Sequence, residues 1–277
     1  MMWFVADGRD SLNQHGAIAE PLVLRREAPI AYLCFNRPET RNALNAALWE
    51  AIPHAIAALE DDSAFKVIIL TGVDHTAFVS GADLDEFPVV YTDRGTARAH
   101  DRRIAAATKA IENCIKPTLA MIQGPCVGGG CALALSCDLR FADTSARFAI
   151  TPALLGLVYG LSDTRRLIDA VGLSHAKDML FSGRQLKAPE ALRTGLIDRL
   201  FEPDEILGKT RKYAETVAAN SQVSIRGTKQ IMRMIAEGAR DDTEQSEELT
   251  LDALESPDFQ EGRDAFMARR RPKFPYS

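Results

Sequence analysis

The sequence predicts an α/β fold, with a largely parallel, buried sheet followed by a helical C-terminal region. Three observations predict it. Strand-like and helix-like apolar patterns alternate from Ala31 to about residue 160, the order that covers both faces of a parallel sheet with helices. The strand-like runs KVIILTG at 66–72 and TLAMIQG at 118–124 are nearly continuous in apolar residues, as strands buried on both faces are. From Ser162 to Arg271 helical periods dominate, interrupted by the short strand-like LIDRLF at 196–201.

Taken in order, residues 1–20 show no period and are read as a loose arm, residues 21–200 as the core, and residues 201–277 as the helical region. AYLCF at 31–35 reads as a strand and NRPETRNAL at 36–44 as a turn. Leu44, Leu48, Ile52, Ile56 and Leu59 then recur every three or four residues, one face of a helix. Pro53 falls inside that helix and is expected to bend it or shorten its start. KVIILTG is a buried strand, AFVSGAD at 77–83 a second extended piece, and 97–115 a helix that ends before Lys116-Pro117. TLAMIQG is a further strand, leading into three consecutive glycines.

Composition narrows the function classes. A chain of 277 residues that is 46% hydrophobic is long and apolar enough for a proper core. The formal charge of −5, with basic residues dispersed until Arg269, Arg270 and Arg271, argues against a nucleic-acid partner. No apolar run approaches the roughly 20 residues of a membrane span, and the N-terminus lacks the unbroken apolar stretch of a signal peptide, so the expected place is the cytoplasm. Cys34, Cys114, Cys126, Cys131 and Cys137 form no CxxC pair and sit mostly in apolar company. They read as buried reduced thiols, with no metal site.

The stretch VGGGCALALSCD at 127–138 carries the chemistry. A glycine-rich turn that opens a helix leaves its first N–H groups unpaired and pointing outward, beside the positive end of the helix dipole. The contiguous glycines are not GxGxxG, and no GK[ST] follows, so neither a dinucleotide nor a phosphate loop is indicated. What remains is a main-chain donor for a small oxyanion, such as the enolate oxygen of a thioester. A second donor is expected from another strand end, and Ser80-Gly81-Ala82 supplies a candidate.

NRPETRNALN at 36–45, AFVSGADL at 77–84, GPCVGGGCALALSCDLRFA at 124–142 and GRDAFMARRRPKF at 262–274 together resemble the crotonase, or enoyl-CoA hydratase/isomerase, superfamily in order and spacing. The resemblance spans about residues 20–275. It implies a spiral of ββα units, a helical tail that takes part in a homotrimer or a dimer of trimers, and an acyl-CoA thioester as ligand. It implies no separate cofactor, coenzyme A being part of the substrate. It assigns the oxyanion hole to the N–H groups of Ala82 and Gly129, with Ser80, Asp83, Leu84 and Gly128 around them. Arg37 and Arg41 fall in the segment that lies along the CoA chain.

The chain also departs from that pattern. The family's hydratases carry two glutamates, one just after GGGC and one twenty residues later; here those positions are Ala132 and Pro152. RFAITPALLGLVYGLSDTRRL at 147–167 resembles a branch that includes methylmalonyl-CoA decarboxylase, with a tyrosine at the position of Tyr159. The first expectation is therefore loss of carbon dioxide from a malonyl-type CoA, with Tyr159 and Thr151 orienting the carboxylate, or another lyase step without glutamates. Isomerisation or hydration of an enoyl-CoA is the alternative, and a non-catalytic CoA-binding protein another. Asp163 is either an acid near the pocket or a helix cap, Glu86 the glutamate nearest the Ala82 loop, and Asp138 a holder of the turn after the glycine helix.

Overall fold

The computed structural model describes residues 20–275. The chain opens with the hairpin β1 (Leu22–Glu27) and β2 (Ile30–Phe35), then α1 (Ala46–Asp61), β3 (Val67–Gly72), the short α2 (Phe87–Val90) and the long α3 (Arg94–Asn113). Next come β4 (Thr118–Ile122), β5 (Pro125–Val127), α4 (Gly129–Ser136), β6 (Leu139–Asp143) and β7 (Arg147–Ala149). The remainder is α5 (Leu161–Ser182), β8 (Leu186–Lys187), α6 (Ala188–Thr194), β9 (Arg199–Phe201) and the helices α7 (Ile206–Ala218), α8 (Gln222–Ala236), α9 (Glu244–Glu255) and α10 (Pro257–Met267). The expected loose arm at 1–20 falls, but for Glu20, outside the described residues.

Six strands form the main sheet in the order β1-β2-β3-β4-β6-β9, and β5, β7 and β8 form a second sheet. Only β1 runs antiparallel to its neighbour in the main sheet; every other pairing there is parallel. All residues of β2, β3 and β4 are buried, which is why these strands carry unbroken apolar runs. This is an α/β fold, with ββα units and a helical C-terminal region.

One expectation for α1 changes. Leu44 lies ahead of the helix and pairs as a parallel bridge with Ala82, while Leu48, Trp49, Ile52, Ile56 and Leu59 make the buried face. The helix begins at Ala46 because the Asn45 side chain accepts from the Leu48 N–H, a capping bond typically worth about 1 kcal/mol. Pro53 sits within a helix that runs uninterrupted from Ala46 to Asp61. The break occurs instead in α5, at Gly172, whose φ of 75° and ψ of 162° are not helical.

The five cysteines are free and buried. Burial pushes the Cys34 thiol up to about 11 and Cys114 up to about 12, and raises Cys126 and Cys137 well above the ordinary thiol value. Since the thiolate is the reactive form, native protein at mildly alkaline pH should react with an aromatic disulfide reagent only as fast as it opens. In strong denaturant all five thiols should react at once.

Candidate active site

The site grows from two loops and the glycine turn. Segment 77–83 leaves β3 in an extended conformation and bridges two neighbours in parallel, Val79 with Cys126 and Ala82 with Leu44. On one side, Val79 N–H donates to the Pro125 carbonyl (3.0 Å) and Val127 N–H to the Val79 carbonyl (2.9 Å). On the other, Leu44 N–H donates to the Gly81 carbonyl (2.8 Å) and Asp83 N–H to the Leu44 carbonyl (3.0 Å). In a parallel bridge the groups flanking the central residue make the bonds, so the Ala82 N–H faces away from Leu44. No protein acceptor takes it among the described residues.

The glycine triplet lies against the same loops. Gly128 has φ 53° and ψ −108°, a conformation that favours glycine, and its N–H donates to the Ala149 carbonyl at 2.8 Å. Gly129 is the first residue of α4, preceded by no capping side chain, and its N–H is one of the orphan donors at the helix start. A methyl group on Gly129 would stand 2.7 Å from Leu44 Cδ1 and 2.9 Å from Trp49 Cζ2. One on Gly130 would stand 2.8 Å from the Val79 carbonyl oxygen. Glycine is required here by close approach. Both proposed donors thus belong to backbone packed around Leu44: Ala82 as its bridge partner, Gly129 against its side chain.

Asn42 holds this arrangement and was not singled out by sequence reasoning. Fully buried, with φ 58°, it donates from Nδ2 to the Ala77 (2.8 Å) and Phe78 (3.3 Å) carbonyls and accepts from the Arg37 N–H (2.9 Å). Its signal was an asparagine in a turn, where a left-handed conformation and local side-chain bonding are both tolerated. Ser80 contributes beside it: its hydroxyl donates to the Thr40 carbonyl at 3.0 Å and its N–H to the Arg41 carbonyl at 3.0 Å.

The remaining candidates separate. Arg37 and Asp83 meet each other: Nη1 of Arg37 lies 2.8 Å from Asp83 Oδ2 and donates to the Ala43 carbonyl at 2.6 Å. Arg41, left-handed at φ 52°, and Leu84 are exposed. Glu86 is committed elsewhere, since both its carboxylate oxygens accept from the Ala46 N–H (3.1 and 2.9 Å) at the start of α1. Tyr159 does come to the glycine turn, its hydroxyl 3.4 Å from the Gly128 carbonyl oxygen. Burial pushes its phenol well above the ordinary value, with the Asp163 charge adding to the effect. Thr151 precedes the 3₁₀ turn Pro152–Leu155 and makes no capping bond there.

Ala132 is buried within α4, and Pro152 opens the 3₁₀ turn, so neither position offers a carboxylate. Asp138 accepts from the Thr118 N–H and from Lys229 Nζ, each at 2.7 Å, and joins β4 to α8. In the C-terminal basic run, Arg270 is engaged with Glu261 at 2.6 and 2.8 Å.

Comparison with known proteins places the whole fold. The family model for enoyl-CoA hydratase/isomerase matches residues 25–276. The chain belongs to that family. It is 34% identical over 209 residues to a short-chain-enoyl-CoA hydratase of Clostridium acetobutylicum, covering 76% of this chain and 79% of that protein. It is 32% identical to a crotonyl-CoA hydratase of Syntrophomonas wolfei, over 92% of this chain and 98% of the relative. Among solved structures, an enoyl-CoA hydratase/isomerase family protein from Hyphomonas neptunium superposes with a TM-score of 0.91 at 45% identity, covering 93% of this chain and 98% of that one. These relatives of the enoyl-CoA hydratase/isomerase family bear hydratase names; none carries the decarboxylase label expected from residues 147–167.

The Asn42 bonds make a stability prediction. Asn42→Ala leaves two buried carbonyls and one N–H unpaired, at about 1 kcal/mol or more for each lost bond. The variant should unfold at lower denaturant concentration, with a loss of about 2–3 kcal/mol in equilibrium unfolding.

Proposed function

We propose that this member of the enoyl-CoA hydratase/isomerase family binds an acyl-CoA thioester and polarises its carbonyl with the amides of Ala82 and Gly129. The carbonyl becomes an enolate during turnover, and the enolate oxygen is held by the two N–H groups. The observation that carries the reading is the pair of unpaired main-chain donors set around Leu44, one on an extended segment and one at a helix start. Fixed amides of this kind stabilise developing charge without reorganising, and losing one costs about 10²–10³ in rate.

The named relatives favour an enoyl-CoA as substrate over a malonyl-type CoA. Hydration by acids at positions 132 and 152 is not available to Ala132 and Pro152. Shifting a double bond requires fewer groups: one base that takes a proton from one carbon and returns it to another. Decarboxylation is the second reading, favoured by those same acid-free positions, because the departing carboxylate supplies the electrons itself. Tyr159, with its hydroxyl already near the Gly128 carbonyl, would then orient the substrate's carboxylate together with Thr151.

Crotonyl-, 3-enoyl- and methylmalonyl-CoA should be assayed in parallel for water addition, double-bond shift and carbon dioxide release. Double-bond shift is the expected activity. Ala82→Pro deletes one donor N–H and should lower turnover by about 10²-fold or more; unchanged turnover in a variant that melts like wild type would remove the assignment.

Self-association belongs to the same proposal. Val158 and Leu161 are 96% and 88% exposed in the single chain, with Leu154, Phe181, Phe266 and Met267 also open, apolar side chains that a neighbouring copy would cover. Light scattering should return three or six times the chain mass of 30.4 kDa.

A further inference from the structure

We propose that Asp163 is the catalytic base of this chain, the single carboxylate that moves a proton on the acyl group; the inference rests on the enolate reading above. Asp163 is the third residue of α5 and is buried, at 8% exposure. The two oxygens of its carboxylate differ. Oδ1 accepts from Arg166 Nη1 at 2.7 Å, whereas Oδ2 has no protein partner among the described residues. Oδ2 turns back toward the loop before the helix, 3.4 Å from where a methyl group on Gly160 would stand. The residue before Gly160 is Tyr159, whose hydroxyl reaches the carbonyl of Gly128. Gly128 and Gly129 share one peptide group, so Tyr159, the neighbour of Gly160 in the chain, touches the peptide whose N–H is a proposed oxyanion donor.

The alternative role for Asp163, capping the helix, is not taken: the cap residue of α5 is Gly160, and no side chain bonds there. The charges that face Asp163 are defined on each packed element. Arg166 and Arg165 lie on α5; Glu112 on α3 pairs with both, at 2.6 Å to Arg166 and 2.5 Å to Arg165; Tyr159 stands on the preceding loop. Arg166 divides its guanidinium between Asp163 on Nη1 and Glu112 on Nη2, so it orients the Asp163 carboxylate while its charge is shared with Glu112. Burial raises the affinity of Asp163 for a proton above the ordinary carboxylate value of 3.8, with Arg166 opposing. A carboxylate tuned upward is a better base for a carbon acid.

The step balances without a further reactant. Asp163 takes a proton from C2 of a 3-enoyl thioester, the C–H electron pair becomes the C1–C2 double bond of a dienolate, and the thioester oxygen takes the negative charge. Protonated Asp163 then returns the proton to C4, the charge leaves the oxygen, and the double bond comes to rest between C2 and C3. One carboxylate suffices, in keeping with the absence of acids at Ala132 and Pro152.

The test separates this proposal from the one beneath it. An aryl-conjugated enoyl-CoA, whose absorption shifts to the red when its carbonyl is polarised, reports the oxyanion hole; exchange of C2 protons of a saturated acyl-CoA with heavy water, read by NMR, reports the base. Asp163→Asn retains an oxygen for Arg166 Nη1, so it should fold and give the wild-type red shift while exchange and double-bond shift fall by about 10²–10⁴-fold. In wild type, kcat/KM should decline on the acid side with a midpoint above 3.8 as the carboxylate is protonated, and Asp163→Glu should restore part of the rate. Exchange in Asp163→Asn within about tenfold of wild type overturns the proposal. Should Asp163→Asn not fold, an exchange rate in wild type that stays flat across the acid range overturns it instead. A wild-type protein that gives no red shift on binding the probe defeats the enolate reading, and this inference with it.

Discussion

The site depends on how closely the extended segment 77–83 lies against the glycine turn. Val79 bonds to both sides of Cys126, and its carbonyl oxygen occupies the space a Gly130 side chain would need. That contact is steric, so it cannot be relaxed by rearranging flexible side chains: the two backbones touch. It sets where Ala82 sits relative to the start of α4, and through the Leu44 bridge it sets the start of α1 as well. Asn42, tied to the Ala77 and Phe78 carbonyls, fastens the outer end of the same segment.

Around this backbone frame most charged side chains already have partners. Arg37 is matched by Asp83, Glu86 by the Ala46 N–H, and Arg166 by Asp163 and Glu112. Among the described residues the Ala82 and Gly129 amides and Asp163 Oδ2 have no protein partner, and these bear the proposed chemistry. Unpaired buried polar groups are costly, and a fold retains them most readily where a ligand completes the bonds. Membership of the enoyl-CoA hydratase/isomerase family fits such an economy, because an oxyanion hole made of amides tolerates wide change in the side chains that finish the reaction.

The route from sequence to structure was uneven for physical reasons. The long buried strands β2, β3 and β4 announce themselves by unbroken apolar runs, and α3 by its period and by the Lys116-Pro117 stop. Strand β1 lies in the predicted core but was not read as a strand, because its outer residues are half-exposed and its pattern weak. Leu44 matched a helical period yet belongs to a bridge, since periodicity cannot tell the last residue before a helix from its first turn. Pro53 does not shorten α1, which starts seven residues before it at the Asn45 cap. Glu86 looked available for catalysis because its neighbours in sequence are at the site; only the fold brings the Ala46 N–H to it.

By itself, the sequence determined the α/β class, the buried parallel strands, the family pattern, the place of the glycine turn and the lack of acids at 132 and 152. Those properties are local: they follow from hydrophobic period, from the backbone demands of glycine and from the identity of single residues. Tertiary structure alone decided that Arg37 pairs with Asp83, that Asn42 pins segment 77–83, and that Asp163 keeps one oxygen free of protein partners near Gly160. Each joins groups on different elements or depends on which way a side chain turns, and a partner's direction in space is not written in the order of the chain.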